Sequence, residues 1–405
     1  MRSKTLLLLL ISVLIITGCS KWRSDKFTCW VNYNDEEFAL FSQLVEEYQT
    51  STEQELKIER IPFAGTEQKI LTALATNTIP DFARVDVAFL VPLAKKGAIS
   101  SLDTFPEIER VKEELVLAGI QSAIIDEKLF CIPDQVTCVA LFYNRKLFEE
   151  VGLPDRTPSN WDEFIQFGKK LTNPETGIYG FGMRNTLWWT LPIIYTYGSD
   201  FLIDGKCALT DKNTLEAIKL KTAFYTDEKI EAGAWRSGSV DPDMGFQSDK
   251  YAMVLNGPWK IRTLVDTGID FGVGLIPEGP SGTATNIGGT QMVVFKKSKH
   301  QKQAVEFLNW LTSAEIQTRW ANELGQLPVN TLSLEQVDTV NHPYLKTFAK
   351  QLKTAHPRPP VMNYGDIENA VNPEMELVLS GKKTPEEAMA DACLKMEKVL
   401  TESEE

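Results

Sequence analysis

The sequence predicts an α/β protein organised as two domains. A chain of 405 residues, 43% of them apolar, exceeds what one hydrophobic core ordinarily serves. Strand and helix patterns alternate over residues 27–96, the order that builds a parallel sheet covered by helices. From Phe130 to Leu153 a Pro-containing loop, an apolar run over Val136–Phe142 and a helical spacing of Leu147, Phe148 and Val151 follow one another, which reads as loop, strand and helix.

Charge and motif content exclude several classes. Lys and Arg total 42 against 55 Asp and Glu, a net charge of −13 without a long acidic block. Nucleic-acid binding needs a basic patch, and none is visible, so nucleic acid is not an expected partner. His300, His342 and His356 stand in polar or proline-rich surroundings and read as surface residues. No Cys/His cluster, HExxH, P-loop or GxSxG occurs, so no cofactor, metal or catalytic residue is expected.

The N-terminus reads as a processing segment. Arg2 and Lys4 precede an apolar run from Leu6 to Ile16, too short for a mature membrane span. Ile16-Thr17-Gly18-Cys19 resembles a bacterial lipoprotein box, which implies a signal peptide over 1–18, lipidation of Cys19 and a linker over 19–26. The other five cysteines are odd in number and lie in apolar or mixed runs. The reading favours five free thiols, with a Cys131–Cys138 bridge as the alternative.

Beyond the linker, Phe27–Tyr33 is a first strand, and Asn34, Asp35 and Glu36 form a polar turn able to cap the helix marked by Phe38, Phe41, Leu44, Val45 and Tyr48. Leu56–Ile61 is a second strand and Ile70–Ala75 a second helical stripe. Pro80, Asp81 and Phe82 open a third strand, and Phe89–Lys96 is a third helix. Asn160 and Glu163 have capping-box spacing before Trp161, Phe164 and Phe167, and Asn173–Gly177 is a surface turn. Thr214–Tyr225 is helical. Ala252–Leu255 reads as a short buried strand ending in the turn Asn256-Gly257-Pro258, which turns Trp259 outward. Phe271–Ile276 is another strand, Pro277–Gly288 a Gly-rich loop and Gln291–Phe295 a further strand. Ala304, Phe307, Leu308 and Leu311 mark a helix, and Thr312–Glu315 has capping-box spacing for the next. The prolines of 356–360 exclude a helix there. Val371–Leu379 and Glu386–Leu400 close the chain, the latter started by Thr384, Pro385 and Glu387.

Pro80-Asp81, Tyr143-Asn144, Trp161-Asp162-Glu163, Asn256-Gly257-Pro258-Trp259 and the block Gly381–Ala388 occur in an order that resembles the family 1 extracellular solute-binding proteins, the sugar receptors of ABC importers. The resemblance implies a two-lobed, periplasmic-binding-protein-like α/β fold of type II, each lobe a sheet flanked by helices. Crossings between lobes are implied near 133–140, 289–296 and 356–361. They leave 27–135 plus 296–355 in lobe 1 and 136–295 plus 356–405 in lobe 2. A non-catalytic, monomeric receptor is implied, anchored to the cell membrane and facing the periplasm or exterior. It would close on a carbohydrate ligand and deliver it to the membrane permease subunits of an ABC transporter.

Sugar recognition needs flat aromatic faces for the C–H surface and paired polar groups for the hydroxyl fringe. By position in the family, Trp259 is the first stacking candidate, followed by Trp188 and Trp189, which line one cavity together if they lie on a loop and point apart if they lie on a strand. Tyr364 follows the third crossing, where the family often carries an aromatic residue. Polar candidates are Asn34 and Asp35 after the first strand, Asp86 after the third, Thr137 in the hinge strand and Arg184 near the aromatic pair. Asn77 replaces the family's Gly, Thr137 stands where a Glu is usual, and the charges at 34–35 differ. The ligand is therefore not expected to be maltodextrin held in the usual way. An anionic solute such as a glycerol phosphodiester, met by Arg184 and Arg84, is an alternative, as is a surface lipoprotein with a sensory or adhesive role.

Overall fold

The computed structural model describes residues 26–359, 361–362 and 364–402. The expected signal peptide, Cys19 and most of the expected linker lie outside the described residues. Strands β1 (Phe27–Val31), β2 (Leu56–Arg60) and β3 (Phe82–Asp86) run parallel, in the spatial order β3-β1-β2. Helix α1 (Asp35–Thr52) starts at Asn34 with the capping box complete: the Asn34 side chain accepts from Glu37 N at 2.8 Å and Glu37 Oε2 accepts from Asn34 N at 3.0 Å. Its buried Leu40, Phe41, Leu44, Val45 and Tyr48 pack on the sheet with Phe307 and Trp320 from later helices. Each such large apolar side chain contributes about 1.5–3 kcal/mol by leaving water.

The stretch expected to hold one strand contains two, β4 (Cys131–Cys138) and β5 (Ala140–Asn144), followed by the helix Arg145–Glu150. The break falls at Val139, where the hydroxyl of Thr285 accepts from Val139 N at 3.1 Å and donates to Val139 O at 2.9 Å. A side chain replaces the ladder partner there, and the chain changes sheets. β5 is the centre of the second sheet, antiparallel to β6 (Met253–Asn256) and β7 (Phe271–Gly274).

β8 (Thr285–Val294) carries the chain back. It pairs antiparallel with β3 and β4, and at its start runs parallel to the short β9 (Ala355–His356). The three connections between lobes are thus neighbouring strands. Gly288 lies opposite Thr137 and Gly289 opposite Val136, and a Cβ on Gly289, whose φ is 140°, would meet Gln135 O at 2.2 Å. Glycine allows these two backbones to approach. The helix Tyr344–Leu352 falls in the span read as lobe 1, but it packs on the second sheet, with Tyr344 stacked on Phe271 and Phe348 against Phe142.

Two local readings need correction. Thr312 does not cap the helix Ala314–Leu324: its hydroxyl donates back to Leu308 O at 2.8 Å, and the cap position is Ser313, without a side-chain bond. Glu163 reaches past Asn160 to Ser159 N at 2.6 Å, while Asn160 does accept from Glu163 N at 2.9 Å. At Thr384 the box forms as read, with Glu387.

The expectation of five free cysteines also fails. Cys207 and Cys393, 186 positions apart, form a disulfide that ties the strand Lys206–Cys207 to the last helix, Pro385–Glu402. No local pattern marks a pair at that separation. Cys29, Cys131 and Cys138 are free and buried, with Cys131 Sγ directed to Gln291 and Cys138 Sγ to Phe348 O. Among the described residues no helix is long and apolar enough to cross a membrane.

Candidate functional site

A cavity of about 760 Å³ lies where the lobes meet, within the range of small-molecule sites. The first lobe supplies Asn34, Asp35, Glu37, Arg60, Arg84 and Asp86, and the second supplies Trp188, Trp259 and Lys260. Between them stand Gln135, Thr137, Gly288, Gly289 and Thr290 of the crossing strands, with Arg358 and Glu368 after the third crossing.

Local sequence explains the aromatic wall. The buried β6 ends at Asn256, whose side-chain oxygen accepts from Gly257 N at 3.0 Å. Gly257 is extended, as a residue before proline must be, and Pro258 opens a single turn that places Trp259 half-buried at the cavity. Trp188 and Trp189 lie on neither strand nor loop but at the start of the helix Leu187–Thr196. Successive helical residues point about 100° apart, so the two side chains leave the helix in different directions and only one of them lines the cavity. Trp188 lines the cavity, 6.3 Å from Trp259 and tilted by 48°. Its backbone is held from both sides, N–H donating to Glu368 at 3.1 Å and C=O accepting from Asn286 at 3.0 Å. Trp189 meets Trp188 edge-on at 4.7 Å and lies under the guanidinium of Arg184.

Six candidates read from the sequence therefore share the cavity wall: Trp259, Trp188, Asn34, Asp35, Asp86 and Thr137. Trp189, Arg184 and Tyr364 are not among its lining residues. Arg184 is turned to Asp243 behind the wall. Tyr364 is buried beside a second cavity of about 500 Å³, with Arg358 over its ring. The cleft-facing residue of that helix is Glu368, one turn later, and i,i+4 spacing from Tyr364 was the available signal. Arg358, Gln135 and Glu37 are further lining residues that sequence reading missed.

The cations in the wall are neutralised locally. Arg84 is buried and donates to Asp134 at 2.6 Å, to Asn32 at 3.0 Å and to Gln135 at 3.0 Å, and stacks on Tyr33. Burial pulls its pKa down, but Asp134 more than offsets this and holds the guanidinium firmly charged. Lys260 pairs with Asp243 at 2.9 Å, Arg358 with Asp86 at 2.8 Å, and Arg60 with Asp35. Asn34 and Asp86 also serve as caps, Asp86 accepting from Ala88 N at 2.8 Å. Burial, with Asp86 nearby, pushes the Glu368 carboxyl above its usual range. Thr137 is buried and its hydroxyl has no hydrogen-bond partner among the described residues. Among those residues no group of three or more His, Cys, Asp or Glu could hold a metal ion.

The chain is similar to several known binding proteins. It is 26% identical over 353 residues to a putative binding protein of Brucella abortus (strain 2308), covering 85% of each. To the maltotriose-binding protein of Pyrococcus abyssi it is 24% identical over 385 residues, 92% of this chain and 81% of that one. The GacH receptor of Streptomyces glaucescens, solved unliganded and in complex with acarbose, superimposes with a TM-score of 0.84 at 25% identity, over 93% of this chain and 98% of that one. Residues 43–347 match the family described as bacterial extracellular solute-binding protein. With a two-lobed fold, a cavity between the lobes and a match over well over half its length, the chain belongs to the bacterial extracellular solute-binding proteins.

Proposed function

We propose that this protein captures a neutral sugar or oligosaccharide between its lobes and delivers it to the membrane permease of an ABC importer, as a monomer held at the membrane by lipidated Cys19. The observation that carries the ligand class is the wall itself: two indoles 6.3 Å apart above a polar surface whose Arg60, Arg84, Lys260 and Arg358 each already have a carboxylate partner. Indole faces cover the C–H surface of a sugar ring, and the amide, hydroxyl and carboxylate groups meet its hydroxyls. An anionic solute would have to compete with Asp35, Asp86, Asp134 and Asp243 for cations, so the phosphodiester reading is disfavoured. A relative named for maltotriose and a receptor solved in complex with acarbose support the same class.

Trp259 and Trp188 act as stacking residues, and Asn34, Asp35, Asp86, Thr137 and Glu368 as polar contacts. The strands β4, β8 and β9 act as the hinge, with ligand contributing more contacts to the closed form. The test is mass spectrometry of small molecules released on denaturing freshly purified protein, followed by calorimetry with neutral mono-, di- and trisaccharides and with glycerol phosphodiesters. Saturable binding of a sugar recovered unchanged is expected. Binding of the phosphodiester alone would overturn the reading.

A further inference from the structure

Asp243 lies outside the cavity wall, on the short helix Pro242–Gln247, yet three groups that bracket the wall converge on it. Oδ1 accepts from Arg184 and from Asn256 Nδ2, the latter at 2.7 Å, and Oδ2 pairs with Lys260 Nζ at 2.9 Å. Asn256 and Lys260 stand on either side of the Gly257-Pro258-Trp259 turn, so one carboxylate grips both ends of the loop that carries the indole. Arg184 extends the grip to the other ring. It donates to Leu255 O at 3.2 Å and its guanidinium sits 4.5 Å from the centre of Trp189, which meets Trp188 edge-on.

The helix itself does not depend on this carboxylate. Asp241 caps it by accepting from Asp243 N at 2.8 Å, Pro242 occupies its first turn, and Phe246 is buried in the second-lobe core. The Asp243 side chain is only 16% exposed and Arg184 17%, so this pairing is sheltered in a way that surface ion pairs are not. Burial raises the Asp243 pKa, but Arg184 and Lys260 outweigh it and the net shift is downward.

We infer that Asp243 is a positioning residue that sets the separation and tilt of the Trp188 and Trp259 indoles, and so decides how a sugar ring is received against them. The inference rests on the sugar-receptor reading above. Its test is Asp243→Asn, which keeps the size and one acceptor oxygen but removes the charge that holds Arg184 and Lys260.

Circular dichroism of the unliganded protein reports the coupling of the Trp188 and Trp259 rings, 6.3 Å apart and tilted by 48°, isolated as a difference against Trp259→Phe. Calorimetry with maltotriose reports affinity, and a denaturant titration reports the fold. The expected result is an altered tryptophan couplet and an affinity lowered about tenfold to a hundredfold, the worth of a hydrogen bond to a charged group, in a variant that still unfolds cooperatively though at a lower denaturant midpoint. Should Asp243→Asn unfold, Asp243→Glu keeps the charge, displaces it by one methylene and must alter the same two readings.

A wild-type couplet in the folded variant overturns the positioning role, and a changed couplet with wild-type affinity overturns its link to recognition. If the wild-type protein binds no sugar, the reading of the site fails instead, and the couplet, measured without ligand, still decides whether Asp243 positions the rings.

Discussion

The indole of Trp259 folds back across Gly257 so closely that a Cβ at residue 257 would lie 2.0 Å from the ring. Gly257 is therefore the seat of the ring. Gly257→Ala should displace the indole and weaken sugar binding nearly as much as Trp259→Ala, for which a stacking residue implies a loss of roughly tenfold to a thousandfold. Trp259→Ala should leave the unfolding free energy within about 1 kcal/mol of wild type, whereas truncating a core tryptophan costs about 3–5 kcal/mol. Calorimetry and denaturant titration on the same two variants separate the cases.

Thr137 presents a buried hydroxyl that no group among the described residues satisfies. An unsatisfied buried hydroxyl is a cost that a ligand can relieve. Thr137→Val should hold or raise the stability of the free protein, by up to about 1 kcal/mol, and weaken sugar affinity by about tenfold. Unchanged affinity would show that the hydroxyl does not meet ligand.

Arg84 and Asp134 form a buried ion pair at 2.6 Å with side-chain exposures of 3% and 2%. Removing one partner strands the other charge, so Arg84→Met should cost about 3–5 kcal/mol. Arg84→Met with Asp134→Leu should recover most of that loss. A double variant as unstable as the single one would mean that the hydrogen bonds to Asn32, Gln135 and the Tyr33 hydroxyl, rather than the ion pair, support the first lobe.

Asp200 is mostly buried, and desolvation raises its pKa from 3.8 to about 6 against the lowering effect of backbone N–H groups. A raised folded-state pKa contributes stability that is complete below about pH 3.8 and is lost as the pH rises through about 6. Asp200→Asn should therefore match wild type near pH 3.5 and exceed it by up to about 3 kcal/mol above pH 7. Denaturant midpoints of both proteins across that range check the sign. A gap that closes on going from pH 4 to 7 would contradict it.

What the sequence disclosed follows the range of the interactions involved. The alternating elements of 27–96, the caps at Asn34 and Thr384 and the Asn-Gly-Pro turn before Trp259 are local, and each can be read from a few neighbouring residues. Trp259 and Trp188 were found by their positions in the family pattern; the local Asn-Gly-Pro turn fixes the Trp259 ring, whereas the helix that carries Trp188 was not read from the sequence. Arg184 and Tyr364 were placed by proximity in sequence to the aromatic pair and to the crossing, and the fold turns both away from the main cavity. Glu368, Gln135 and Arg358 enter the wall through strand and helix contacts made far along the chain. The Cys207–Cys393 bond and the break at Val139, closed by Thr285, depend on partners more than a hundred residues away, for which no local pattern exists.

β8 lies between β3 and β4, and this fixes the order in which the molecule can be completed during synthesis. A nascent chain that has emerged only to residue 284 holds β3 and β4 with the edges that β8 will cover still open, and open edges invite pairing with other chains. All of β5, β6 and β7 emerges before β8, so the N-terminal lobe closes its sheet only after those later strands are out. The last helix, which holds Cys393, must then arrive to lock the other lobe. A ribosome stalled between residues 145 and 284 therefore releases a fragment that can finish neither core, and productive folding belongs to the nearly full-length chain.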